Sequence, residues 1–167
     1  MRAGGGKKKG SAFERRICKA LSLWLTNGRQ TDCLWRSAMS GGRATVGRKK
    51  GESIRQAGDI CAVSPEGFAL TDLFYFELKH VRNLRLHSFI FSSGPLQEFW
   101  DEAVSQARHY KKSPVLIARS GNMPTIVLEK KGSPHFLHDT IPPLAVVGRY
   151  CEVRKLDDIL AAKYKGD

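Results

Sequence analysis

The sequence predicts an α/β (α+β) domain in which a mixed central sheet is flanked by helices, in the order helix, strand, strand, strand, helix, strand. Three observations carry this. An apolar stripe at helical spacing, Phe13, Ile17, Leu21 and Trp24, stands near the start of the chain. Two short runs rich in Ile, Val, Phe and Tyr follow, at 58–64 (GDICAVS) and 72–79 (DLFYFELK), with Pro65-Glu66-Gly67 between them. A second amphipathic segment opens at Pro95 and leads to further apolar runs. With 167 residues and 41 % apolar content, the chain suits one domain, residues 11–167, with a sizeable core.

Residues 1–10 (MRAGGGKKKG) combine glycines with a lysine run and hold no apolar anchor, which predicts a mobile basic arm. A helix of about fifteen residues is expected from Ser11, ended by Asn27-Gly28. Residues 32–38 (DCLWRSA) make a first strand. Residues 40–57 show neither helical nor strand periodicity and read as a functional loop. The runs 58–64 and 72–79 pair as a hairpin whose register closes around Phe68, with residues 66–70 as its loop. The Pro95 helix reaches to about Lys111, burying Leu96, Phe99, Trp100, Ala103 and Ala107, and crosses over to a later strand. Val115–Arg119 and Thr125–Leu128 are strands, Leu144–Val147 is a candidate for another, and residues 155–164 form a closing helix.

In the hairpin register Asp59 lies opposite Glu77. Side chains alternate along a strand, so Glu77 and Lys79 share one face about 6 to 7 Å apart, with Asp59 about 5 Å away. Two carboxylates that close repel each other, and a divalent cation held by hard oxygen ligands relieves the repulsion. The lysine beside them orients or activates a water. Such a set suits phosphodiester hydrolysis. A surface strand with a Glu–Lys ion pair is the bland alternative.

These residues, Asp59 and then Glu77-Leu78-Lys79 after an interval of 17, resemble the PD-(D/E)XK nuclease superfamily, with Gly58 where the name-giving proline would stand. The resemblance spans residues 7–120 and implies a restriction-endonuclease-like αβββαβ core. It implies Mg²⁺ or Mn²⁺ as cofactor, with Asp59 and Glu77 as direct ligands, the Leu78 carbonyl as a third, and Lys79 positioning the attacking water. The segment around Glu14 (GSAFERRI) resembles the opening of Holliday-junction resolvases, which implies that Glu14 holds the metal through water. On the residues alone, Ser11 and Glu14 form a capping box, and the two roles are compatible. Resolvase-like relatives also place a functional serine near the first strand, for which Ser37 and Ser40 both qualify. Gln106 and Tyr110, at i and i+4, share one helix face. Their Q-x-x-x-Y pattern is similar to that of RecB-type exonucleases and implies that they orient phosphate or water.

Net charge is +12, and residues 1–50 carry 13 Lys and Arg against Glu14 and Asp32, a balance of +11. Such polarity points to nucleic acid. The expected contacts are Lys7, Lys8 and Lys9 of the arm, Arg15, Arg36, the loop residues Arg43, Arg48, Lys49, Lys50 and Arg55, and Arg82 and Arg85 beyond Lys79. The reading that follows is a metal-dependent endonuclease for branched or structured DNA, acting as a homodimer. An exonuclease or nickase on ends or flaps is the alternative, and a binding module without catalysis is another. No apolar run approaches the roughly 18 residues of a membrane span. No hydrophobic segment directly follows the basic start, so an intracellular, cytoplasmic protein is expected, in the host cytoplasm if the source is viral. Cys18, Cys33, Cys61 and Cys151 lack metal-ligand spacing and read as reduced thiols, and His135 and His138 read as ordinary loop residues.

Overall fold

The computed structural model describes residues 5–37, 58–132, 141–148 and 151–164, with side chains from Gly10 onward. Helix α1 (Gly5–Leu25) leads into β1 (Leu34–Arg36), β2 (Ile60–Ala62), a 3-10 turn (Pro65–Gly67), α2 (Phe68–Thr71) and β3 (Phe74–Val81). Then come α3 (Leu86–Ile90), α4 (Pro95–His109), β4 (Ser113–Ser120), β5 (Ile126–Lys130), β6 (Ala145–Val147), β7 (Cys151–Lys155) and α5 (Leu156–Ala161). The mixed α/β class holds, with helices on both faces of a five-stranded sheet of order β3-β4-β5-β7-β6. β3 and β4 run parallel and the other pairs antiparallel.

The period-two alternation of the strands sorts the core into two layers. Phe74, Phe76 and Leu78 of β3, with Val115, Ile117 and Val127, pack against Phe13, Ile17, Leu21 and Trp24 of α1. Leu116, Ala118, Ile126 and Leu128 face the opposite way, against Leu96, Trp100 and Ala103 of α4. α4 is therefore the crossover between two parallel strands, which must traverse one face of the sheet. Gly94, at φ +83, begins it immediately before Pro95.

Helix α1 starts at Gly5, earlier than the expected Ser11, so residues 5–10 belong to the helix and not to an arm. Extending a nucleated helix adds one hydrogen bond per residue, which carries α1 back through Lys7–Lys9 despite the glycines. Ser11 is then inside the helix, and the capping box is not formed. Its Oγ instead accepts from Arg15 Nη1 and from Arg36 Nη1, both at 2.7 Å.

The hairpin is also corrected. β2 pairs antiparallel with β1, Trp35 opposite Cys61, and these two strands form a sheet of their own. Residues 65–71 coil into the 3-10 turn and α2, so the chain returns in the same direction and Gly58 meets Phe76 in a parallel bridge. The sequence reading placed neither β7 nor the short helix α3.

Candidate active site

Gly58 fixes the approach of β2 to β3. Its φ is +85, and a Cβ there would lie 2.5 Å from the Phe76 carbonyl oxygen. Only a glycine gives both the left-handed backbone and the room. This explains the departure from proline at that position. The next residue uses the closeness: Asp59 N–H donates to Phe76 O at 2.8 Å, and Asp59 Oδ2 accepts from Leu78 N–H at 2.8 Å. The aspartate side chain thus takes the edge of β3 that a neighbouring strand would otherwise occupy. A residue's N–H and C=O leave a strand on the same side, so the Leu78 carbonyl is directed to the edge that Asp59 lines. Ser37 is buried, and its N–H donates to Asp59 O at 2.8 Å. Ser40, the other candidate serine, lies outside the described residues.

The parallel bridge brings Asp59 and Glu77 together as the hairpin would have, because Gly58 beside Phe76 sets residue 59 beside residue 77. Burial pushes the Asp59 carboxyl up to about 7, and the Glu77 charge adds to the rise. The Leu78 N–H works against it, Glu14 raises it further, and Lys79 lowers it. Lys79 Nζ lies 2.8 Å from Glu77 Oε1 and 3.5 Å from Glu102 Oε2, and stands 5.1 Å above the Phe99 ring. Burial opposes the ammonium, but the hydrogen bond and charge of Glu77, then Glu102 and Asp59, outweigh it and hold its pKa above the ordinary lysine value. Lys79 is a fixed cation and not a base.

Glu77 has a second partner that the sequence reading missed. Tyr75, two residues earlier on the same strand face, donates its hydroxyl to Glu77 Oε2 at 3.3 Å. Burial, followed by the charges of Glu77 and Asp59, raises its pKa, so the phenol stays a donor. Tyr110 of the Q-x-x-x-Y pair stacks on Tyr75 with ring centroids 5.6 Å apart. Tyr110 thereby connects to Glu77 through Tyr75. Gln106 sits one turn earlier on α4, half-buried. Period-two spacing before the Glu77-x-Lys79 pair was the signal that could have found Tyr75.

Glu14 approaches from α1. Arg36 Nε stands 3.2 Å from its Oε2, at ion-pair distance but off the line of a hydrogen bond. That oxygen is buried without a hydrogen-bond partner among the described residues. Arg36, expected on nucleic acid, is thus turned inward to Glu14 and Ser11. Arg15 is exposed while donating to Ser11, and Arg82 and Arg85 are exposed beyond the end of β3. No side chain is described for Lys7, Lys8 or Lys9, and Arg43, Arg48, Lys49, Lys50 and Arg55 lie outside the described residues.

A divalent cation fits this donor set. Two carboxylates crowd at one strand edge, one of them resists ionisation, and a third carboxylate nearby has an unsatisfied buried oxygen. Among the described residues no three His, Cys, Asp or Glu side chains cluster closely enough to hold one ion. Asp59 and Glu77 are the two carboxylates that the Gly58–Phe76 bridge sets side by side. Cys18, near Glu14 and Asp59, is pushed up to about 12 mainly by burial and stays a thiol.

Among the described residues no helix is long and apolar enough to cross a membrane. No curated protein and no solved structure matches the chain. A family model described as "Phage putative PDDEXK endonuclease" matches residues 5–139, from the start of α1 past the end of β5. That span holds the Gly58-Asp59 turn, the Glu77-Leu78-Lys79 strand and the helix that covers it, and the chain belongs to this PD-(D/E)XK endonuclease family.

Proposed function

We propose that the protein is a divalent-metal-dependent DNA endonuclease that hydrolyses phosphodiester bonds in branched or structured DNA. The observation that carries this reading is the meeting of Asp59, Glu77 and Lys79 at one edge of β3, with Asp59 raised toward neutrality by burial and by Glu77. Asp59, Glu77 and the Leu78 carbonyl would hold Mg²⁺ or Mn²⁺, with Glu14 acting through water. When bound, the cation neutralises phosphate charge and acidifies water. Lys79 holds its proton, so it positions the attacking water and the phosphate by charge and hydrogen bonding. Tyr75 keeps Glu77 in place from the side opposite Lys79. Tyr110 supports Tyr75, and Gln106, one turn earlier on the same helix, would orient the phosphate.

Preference for branched DNA rests on the resolvase-like segment around Glu14, supported by the reach of the Glu14 charge to Asp59. A four-way junction needs two matched cuts, so this reading includes a homodimer. The Tyr75–Tyr110 stack favours a second reading, exonuclease action on ends or flaps, because it ties the Q-x-x-x-Y pattern to Glu77.

The test is a cleavage panel at low salt with Mg²⁺, Mn²⁺ or EDTA, offering circles, linear duplex, single strands, flaps and four-way junctions. Paired symmetric cuts at junctions, lost in EDTA and in Asp59→Ala and Lys79→Ala, are the expected result. End-dependent degradation establishes the second reading. Intact binding without metal-dependent cleavage of any substrate ends both.

A further inference from the structure

A groove of about 780 Å³ opens between α1 and the C-terminal ends of β3 and β4. Its floor is Phe13, which is buried; the Arg16 guanidinium lies 5.5 Å from the Phe13 ring centroid and the His80 ring 5.2 Å from it. Arg82 and Arg119 form the far wall, and Arg119 is anchored through Nε to the Gly121 carbonyl at 3.4 Å. Three arginines and a histidine thus line the groove, and no acidic side chain does among the described residues. Asp59, Glu77 and Lys79 do not line it: His80 alternates with Lys79 along β3, so the groove opens on the α1 face of the sheet while Lys79 faces Phe99 and Glu102 of α4.

We propose that this groove holds a short single-stranded stretch of the nucleic acid on the α1 face of the sheet. The inference rests on the nuclease reading for its setting, but not for its evidence. The volume lies within the range of about 300–1,000 Å³ typical of ligand sites, which suits a few nucleotides of one strand. Arginines along a strand path neutralise phosphates, while an exposed imidazole and a planar guanidinium offer faces on which bases stack whatever their sequence. The α1 face of the sheet at this end therefore selects an unpaired strand. A frayed or branched substrate supplies one and an intact duplex does not.

Fluorescence anisotropy in EDTA tests this without cleavage. The probes are a short labelled single strand and a duplex of equal length. The proteins are wild type, Arg16→Ala/Arg119→Ala and His80→Ala, each checked by its melting curve. The arginine pair is expected to weaken the single strand tenfold or more and to lower its salt slope by about 1.4, at roughly 0.7 for each phosphate no longer neutralised, with the duplex changed much less. His80→Ala is expected to weaken the single strand about fivefold. If the alanine pair melts early, Arg16→Gln/Arg119→Gln keeps the aliphatic stems and removes the charges. Unchanged single-strand affinity overturns the proposal, as does an equal loss on single strand and duplex, which marks a general backbone surface. A protein that binds in this way but never cuts would sink the nuclease reading and leave the groove standing.

Discussion

Replacing Asp59 by asparagine should stabilise the metal-free protein while removing its activity. In the folded chain the Asp59 carboxyl titrates near 7, against 3.8 for an unburdened aspartate, because burial and Glu77 both disfavour its charge. The folded pKa lies above the unfolded one, so the wild-type contribution is fully present below about pH 4 and is lost as pH rises to about 7. At about 1.36 kcal/mol per decade of pH, the loss has a ceiling of about 4 kcal/mol. Asp59→Asn does not titrate, and its amide oxygen still accepts from Leu78 N–H. Stability measured by urea unfolding in EDTA should be similar for the two proteins near pH 4. The variant should then gain steadily up to about pH 8, with a melting temperature higher by as much as roughly 8–16 °C. Parallel pH profiles, with a constant gap from about pH 4 to about pH 8, would refute the electrostatic account of this site.

The remaining expectations concern its neighbours. Lys79→Met removes a fixed cation, and cleavage rates should fall by about 10²–10³ while DNA affinity measured by gel shift changes little. Tyr75→Phe deletes the hydroxyl on Glu77 and keeps the stack on Tyr110; calorimetry should show a cost near 1 kcal/mol, and cleavage should drop several-fold. Gly58→Ala forces a Cβ against the Phe76 carbonyl in left-handed backbone, and chemical denaturation should reveal a loss of at least about 2 kcal/mol along with metal-dependent activity.

Much of this fold is written in periodicity. Phe13, Ile17, Leu21 and Trp24 are all buried as their spacing implied, and Pro95 does open the second long helix. Strand direction was not legible. The interval between Asp59 and Glu77 is compatible with a hairpin, and only the coiling of residues 65–71 makes the bridge parallel. The proximity of the two carboxylates survived because both geometries set residue 59 beside residue 77. β7 was hidden for a different reason. Its CEVRK segment buries Arg154, which pairs with Glu129 and Glu152 and donates to the Ile141 carbonyl, so a core strand looks like a charged surface. Glu14 and Arg36 posed the same difficulty: one sequence pattern, a cap and a basic contact, became a single ion pair between two elements.

Among the described residues the two sheets are joined by the bridge from Gly58 to Phe76, supplemented by Asp59 at the β3 edge and by the α1 core that Leu34 and Ile60 share. The candidate active centre is therefore a joint between the two sheets. Opening of the β1–β2 ribbon would separate Asp59 from Glu77 while the five-stranded sheet stays folded, so competence is tied to a local opening equilibrium and not to global stability. Amide exchange at Asp59 and Leu78, the two donors that close the joint, reports that equilibrium directly. Any ligand that binds both carboxylates should slow exchange at those two positions first.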